Sequence, residues 1–254
     1  MLFAIDIGNT NIVLGCIDKE EILFTERLST DQAKTAVEYA ISFKNVLEMH
    51  NILPSDVTGC IIDSVVPPIT ARITEALAKL TRCRAKIVGP GLKTGLNIQM
   101  DNPAQVGADL IVGAVAGIHD YPCPLILIDM GTATTICIVD EDKNYIGGMI
   151  MPGLRVSLDS LTSRTSQLPR ISLDPPKRLI GKNTIESMKS GILYGNASML
   201  DGMIDRIEED LGQKATAVAT GGLAGTIVPL CRHHVILDDT LLMKGLRYIY
   251  EKNI

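Results

Sequence analysis

The chain is 254 residues long and 46% apolar, enough for one large domain or two small ones. Its charged residues, 21% of the total, leave a net charge of −5 and no basic block, which argues against nonspecific nucleic-acid binding and against anionic membrane surfaces. With no Trp, three Phe and six Tyr there is no aromatic platform for single strands, and no apolar run has the length of a membrane-spanning helix.

In chain order, residues 2–5 and 12–17 read as strands around a Gly8-Asn9 turn, and residues 21–28 as a third strand. The opening stretch has no basic leader and Asp6 interrupts it early, unlike a signal peptide. Residues 35–49 space Val37, Ala40, Ile41, Val46 and Leu47 as one helical face. Residues 59–66 are a β-branched run stopped by Pro67-Pro68, and a helix is predicted over 69–80. A strand over 85–88 is closed by Gly89-Pro90-Gly91, and residues 105–119 read as a helix rich in small side chains.

The opening pattern then returns. Leu125-Ile126-Leu127-Ile128-Asp129-Met130-Gly131 repeats Leu2-Phe3-Ala4-Ile5-Asp6-Ile7-Gly8: an apolar strand, Asp-x-Gly, polar residues and a second strand. Asp6 and Asp129 thus hold equivalent positions in a duplicated unit. The simplest account is two α/β halves, residues 1–119 and 120–254, with both hairpins facing one cleft. A third glycine turn, Thr220-Gly221-Gly222, follows the apolar residues 215–219, and no stretch is polar enough for a disordered linker.

These turns carry the chemistry. A tight turn projects backbone N–H groups, and glycine lets a ligand come close. Asp6-Ile7-Gly8-Asn9-Thr10-Asn11 suits phosphate oxygens, with Asp6 placed to hold a divalent cation directly or through water. An ordinary hairpin turn, in which Asp6 bonds its own backbone, is the alternative for a single copy. The second copy supplies Thr132, Thr134, Thr135 and the carboxylate of Asp129, and Gly221-Gly222 would let a base and ribose lie on bare backbone. Neither a Walker G-x-x-x-x-G-K-[ST] nor a G-x-G-x-x-G after a strand occurs. Six scattered cysteines without a C-x-x-C pair fit reduced thiols of a cytoplasmic protein. His233 and His234 are adjacent, so on a strand they would point to opposite faces, poor geometry for a shared metal.

Phosphate turns of this kind are similar to those of the acetate and sugar kinase, heat-shock ATPase and actin superfamily, where nucleotide lies between two ribonuclease-H-like domains. More specifically, the chain resembles the type III pantothenate kinase family over essentially its whole length. The resemblance rests on the Asp6–Asn11 and Asp129–Thr135 motifs, Ser64-Val65-Val66-Pro67-Pro68, Val88-Gly89-Pro90-Gly91 with Thr94-Gly95, and Asn102-Pro103 with Val106-Gly107-Ala108-Asp109. It continues through Gly147-Gly148, Pro152-Gly153, Leu168-Pro169, Ile180-Gly181-Lys182-Asn183-Thr184, Thr220-Gly221-Gly222-Leu223-Ala224 and Gly245-Leu246. It implies transfer of the γ-phosphoryl of ATP to the primary hydroxyl of pantothenate, the first step towards coenzyme A, by a homodimer using Mg²⁺ and a monovalent cation, K⁺ or NH₄⁺. By position, Asp6, Ile7, Gly8, Asn9, Thr10, Asn11, Ile12 and Val13 would form the first ATP loop, joined by Thr132, Gly221 and Gly222. Asp129 would hold the monovalent cation. Met100, Gly107, Ala108, Leu110 and Thr184 would lie at the acceptor, and Asp109 would be the general base. The small-residue segment 107–118 is expected to be either an interface helix, because small side chains let helices approach closely, or a helix buried within one subunit.

The sequence departs from the family around the acceptor. Leu110 stands where the family has Arg, Gly113 where it has Asn, Met100 where it often has Tyr, and Thr165-Ser166-Gln167 precedes Leu168-Pro169. Losing an Arg removes a charge-assisted donor worth roughly 1.5–3 kcal/mol, one to two orders of magnitude in binding or rate. Arg155 is the nearest spare cation by sequence. Three readings stay open: a pantothenate kinase, a kinase with a different hydroxylated acceptor, and a nonenzymatic nucleotide-binding regulator.

Overall fold

The computed structural model describes residues 1–254 and divides into two compact units, each built on one sheet. The first unit comprises Met1–Leu96, Asn102–Ala116 and Thr240–Ile254. Its strands are β1 (Leu2–Ile7), β2 (Asn11–Asp18), β3 (Glu21–Ser29), β4 (Gly59–Ser64) and β5 (Lys86–Ile87), in the order β3-β2-β1-β4-β5. The first three form an antiparallel meander, and β4 and β5 run parallel to β1.

Helices α1 (Ala36–Met49) and α2 (Pro67–Thr81) cover one face of this sheet. Tyr39, Phe43, Leu47, Ile69, Ile73 and Leu77 pack there on Phe3, Ile5, Ile7, Ile12 and Leu14. The expected helix over 35–49 forms because Thr35 and Glu38 cap it reciprocally, at 2.7 Å and 3.3 Å. Pro67-Pro68 ends the strand run as expected but does not delay the helix. Both prolines sit in the first turn of α2, where a missing N–H costs nothing and φ is already helical. The opposite face carries α3 (Ala108–Asp120), which begins in this unit, and α7 (Leu241–Glu251). Val112, Val115, Met243, Leu246 and Ile249 pack there on Leu2, Ala4 and Ile61.

The second unit comprises Asn97–Asp101 and Gly117–Asp239. Its strands are β6 (Asn97–Ile98), β7 (Leu125–Met130), β8 (Ala133–Val139), β9 (Asn144–Pro152), β10 (Thr216–Thr220) and β11 (Val235–Leu237), in the order β11-β10-β7-β8-β9-β6. Its helices are α4 (Leu154–Arg164), the 28-residue α5 (Thr184–Leu211) and the short α6 (Ala224–Ile227). Leu154, Leu158, Met188, Ile192, Ala197 and Leu200 cover Ile126, Ile128, Met130, Ile136 and Ile138.

Apart from the edge strand β6, the second sheet repeats the first. β9-β8-β7-β10-β11 has the order and strand directions of β3-β2-β1-β4-β5. This is the duplicated ribonuclease-H-like α/β fold. The compact units follow the two expected halves through their centres and differ at the ends. Residues 240–254 fold with the first unit because α7 supplies an apolar stripe to its sheet, and residues 97–101 join the second by pairing with β9. No helix is long and apolar enough to cross a membrane.

Candidate active site

Strand alternation decides which side chains can act at the first hairpin. Ile7 and Ile12 are fully buried in the core under α1 and α2, so these two positions offer a ligand backbone only. Asp6 lies on the other face with Leu2 and Ala4, the face that α3 covers. Asn9, Thr10 and Asn11 form the exposed tip. The turn is closed by Gly8 N–H donating to Asn11 O at 3.0 Å, and the Thr30 hydroxyl donates to Gly8 O at 2.7 Å. Asp6 stands in register with Val13 on β2 and with Asp63 on β4. Residues in register on neighbouring strands share a face, so two carboxylates lie side by side here, that of Asp63 fully buried.

The second hairpin has the same frame and different chemistry. Asp129 is in register with Thr135 on β8 and with Thr220 on β10. Two neutral hydroxyls therefore flank one carboxylate. Thr134, expected to join them, pairs with Met130 instead and turns into the core, where its hydroxyl is fully buried and makes no hydrogen bond. Gly221 closes in on this group. Its φ is +97°, and a Cβ there would come 2.4 Å from Asp129 Oδ1 and 2.7 Å from Met130 N. Only glycine fits. The loop is tied down by Leu223 N–H donating to Met130 O at 3.3 Å. Asp129, Gly221 and the Gly131-Thr132 turn are thus brought together by the fold, with Gly222 next in chain.

Asp109 sits in the first turn of α3, in the first unit. Leu110 N–H donates to its Oδ1 at 2.8 Å. Burial pushes its carboxyl above the ordinary carboxylate range, against the pull of that bond. A Cβ at Gly107 would stand 2.4 Å from Asp109 Oδ1, so a side chain at 107 would make this carboxylate turn away from its present position. Gly107, Ala108, Asp109 and Leu110 are all half-buried and contiguous. The other acceptor candidates belong to the second unit. Met100 is 38% exposed and its sulfur lies near Gly147. Thr184 opens α5 after the Asn183 cap and lines a groove of about 620 Å³ with Leu161, Leu168, Ser187, Met188 and Ile192.

Gly113, one of the departures from the family, is buried with Leu242 of α7 beside it. Within the segment 107–118, Val112, Ala114, Val115 and Ala116 are buried in the chain, and 107–111 and Ile118 are half-buried. Asp63 is the residue sequence reasoning missed, and Thr220, which opens the third glycine turn, joins Thr135 as a partner of Asp129. The repeat itself carried the signal, since Asp63 and Thr220 each lie at the end of the fourth strand of their own repeat, β4 and β10.

A family model described as type III pantothenate kinase matches residues 2–206. The type III pantothenate kinase of Bacillus cytotoxicus is 44% identical over 253 residues, covering 100% of this chain and 97% of that protein. Among solved structures, a Campylobacter jejuni protein named for the Baf family superposes with a TM-score of 0.61 at 18% identity, over 99% of this chain and 98% of that one. The activator of the 2-hydroxyisocaproyl-CoA dehydratase from Clostridium difficile, solved with bound ADPNP, gives a TM-score of 0.56 at 14% identity, over 99% and 94%. At such identities the two structures speak to the fold alone.

Proposed function

The chain belongs to the type III pantothenate kinase family, and on that premise we propose how its residues perform the family's reaction. It is an ATP-dependent kinase that phosphorylates pantothenate in coenzyme A biosynthesis. A primary hydroxyl is a poor nucleophile, and a carboxylate that takes its proton as the bond to phosphorus forms relieves that weakness. Asp109 is assigned that role. Burial raises its pKa, which makes it a stronger base than an exposed aspartate. Leu110 N–H fixes one carboxylate oxygen, and bare Gly107 and small Ala108 let the acceptor approach. The observation that carries this assignment is the half-buried carboxylate in the first turn of α3, with bare Gly107 against it.

ATP is assigned to the backbone of Asp6 through Val13, to Thr132 and to Gly221-Gly222. The Clostridium difficile neighbour with ADPNP lends support at the level of fold. The donor sets fit two different cations. Asp6 with Asp63 offers two carboxylates, the hard oxygen donors and double charge that suit Mg²⁺. Asp129 with Thr135 and Thr220 offers one charge and neutral oxygens, which suit K⁺ or NH₄⁺. Bound there, the cations would neutralise charge on the phosphates. Met100, Leu110 and Thr184 are assigned to acceptor recognition, and a cytoplasmic homodimer is proposed from the family alone. A coupled assay of ADP release with pantothenate, Mg²⁺ and K⁺ tests the whole assignment. Turnover of another hydroxylated acceptor in place of pantothenate would favour a rebuilt pocket around Leu110.

A further inference from the structure

Outside the residues assigned to catalysis, the C-terminal half of α5 carries a second group with metal-ligand chemistry. Asp201, Asp205 and Glu208 recur at i, i+4 and i+7, so their carboxylates line one helical face. Asp201 anchors the loop before β11, accepting the backbone N–H of Arg232 at 2.9 Å and of His233 at 3.0 Å. That anchorage holds His233 against α5, where its Nε2 lies 2.8 Å from Asp205 Oδ1. Ligand atoms of Asp205, Glu208 and His233 all lie within 4.8 Å of one another. The Glu208 side chain is only 10% exposed. One of its oxygens takes the Ala215 N–H at 3.2 Å, and the other the ammonium of Lys214 at 2.6 Å, whose own side chain is 84% exposed.

We infer that Asp205, Glu208 and His233 bind a late first-row divalent cation of the Zn²⁺ and Co²⁺ class. An imidazole nitrogen beside two carboxylates selects such ions over Mg²⁺, which prefers an all-oxygen shell. Three protein ligands leave a coordination position for water. Lys214 supplies to Glu208 the positive charge that the cation would bring, so ammonium and cation compete for one carboxylate. The ion would fasten the segment between α6 and β11 to α5. Because the three ligands come from separated stretches of chain, it binds the folded state preferentially and raises the melting temperature.

The test uses full-length protein stripped with a chelator, in excess Mg²⁺, titrated with Co²⁺ by visible absorption and with Zn²⁺ by calorimetry. One equivalent is expected to bind. Removal of a ligand in His233→Ala or Glu208→Gln is expected to weaken binding by about tenfold or more, the scale already seen for supporting residues of metal sites. Lys214→Ala is expected to tighten it about two- to fivefold, the share of an exposed ion pair. Circular dichroism without metal checks each variant's fold, and Asp205→Asn stands in if one fails. Absence of saturable binding overturns the inference. So does an affinity that His233→Ala and Glu208→Gln leave unchanged, or one that Lys214→Ala weakens.

Discussion

Asp109→Asn separates chemistry from fold at one atom. The amide keeps the size of the carboxyl, and its oxygen can still accept the Leu110 N–H that Asp109 Oδ1 takes at 2.8 Å. What disappears is the proton acceptor. A general base contributes about 10²–10⁴ in rate, or about 2.7–5.4 kcal/mol at the transition state. Stability is expected to move the other way. Burial raises the folded pKa of Asp109, so the folded chain holds this proton more tightly than the unfolded chain. The group therefore favours folding at low pH, and that contribution is lost as pH rises through the folded pKa. At neutral pH the uncharged variant should melt at or above the wild type. By the same sign, wild-type kcat/KM should fall on acidification with a midpoint above the ordinary Asp value of 3.8. Initial rates of ADP release, calorimetry with an unreactive ATP analogue and a melt on the same preparation give all three readings. Turnover within threefold of wild type, or nucleotide affinity lost along with turnover in a folded protein, would refute the role given to Asp109.

Other perturbations probe the second unit and the acceptor. Gly221→Ala forces a side chain into a φ of +97° and against Asp129. It should lose about 1–3 kcal/mol in a denaturant titration and weaken nucleotide binding. Thr134→Val removes a buried hydroxyl that makes no hydrogen bond and should leave the protein unchanged or about 1 kcal/mol more stable. Thr135→Val, one residue on, should leave the melt alone and raise the K⁺ concentration needed for half-maximal activity, because its hydroxyl shares the face of Asp129. Leu110→Arg should raise kcat/KM for pantothenate about ten- to a hundredfold if the missing charge limits acceptor binding. An unchanged value would shift attention to Met100.

The hairpins were legible because two local signals coincide there: two-residue alternation and Asp-x-Gly. Repetition then made the duplicated fold readable before any helix was placed. What escaped was nonlocal. The pairing of Asp6 with Asp63, and of Asp129 with Thr135 and Thr220, is a matter of register between strands. The split of Thr134 from Thr135 is likewise visible only once β8 has a partner. Helix α5 hides in the sequence because Gly191, Gly195 and Gly202 interrupt its pattern, and packing of Ile192, Leu193, Leu200 and Ile204 makes up for their low propensity. Helix α7 was unread although Met243, Leu246 and Ile249 repeat at three-residue spacing, and its docking on the first sheet makes that unit discontinuous. Local spacing shows only the His233-His234 neighbours, whereas the partners of His233 lie on α5, 28 residues earlier in chain for Asp205.

The measurement closest to the central claim is the coupled ADP-release assay with purified protein, ATP and Mg²⁺, run with and without pantothenate and with and without K⁺. Pantothenate-dependent ADP release, matched one for one by phosphorylated pantothenate and increased by K⁺, is the expected result. ADP release indifferent to pantothenate, or none in a protein that still binds an ATP analogue, would contradict it.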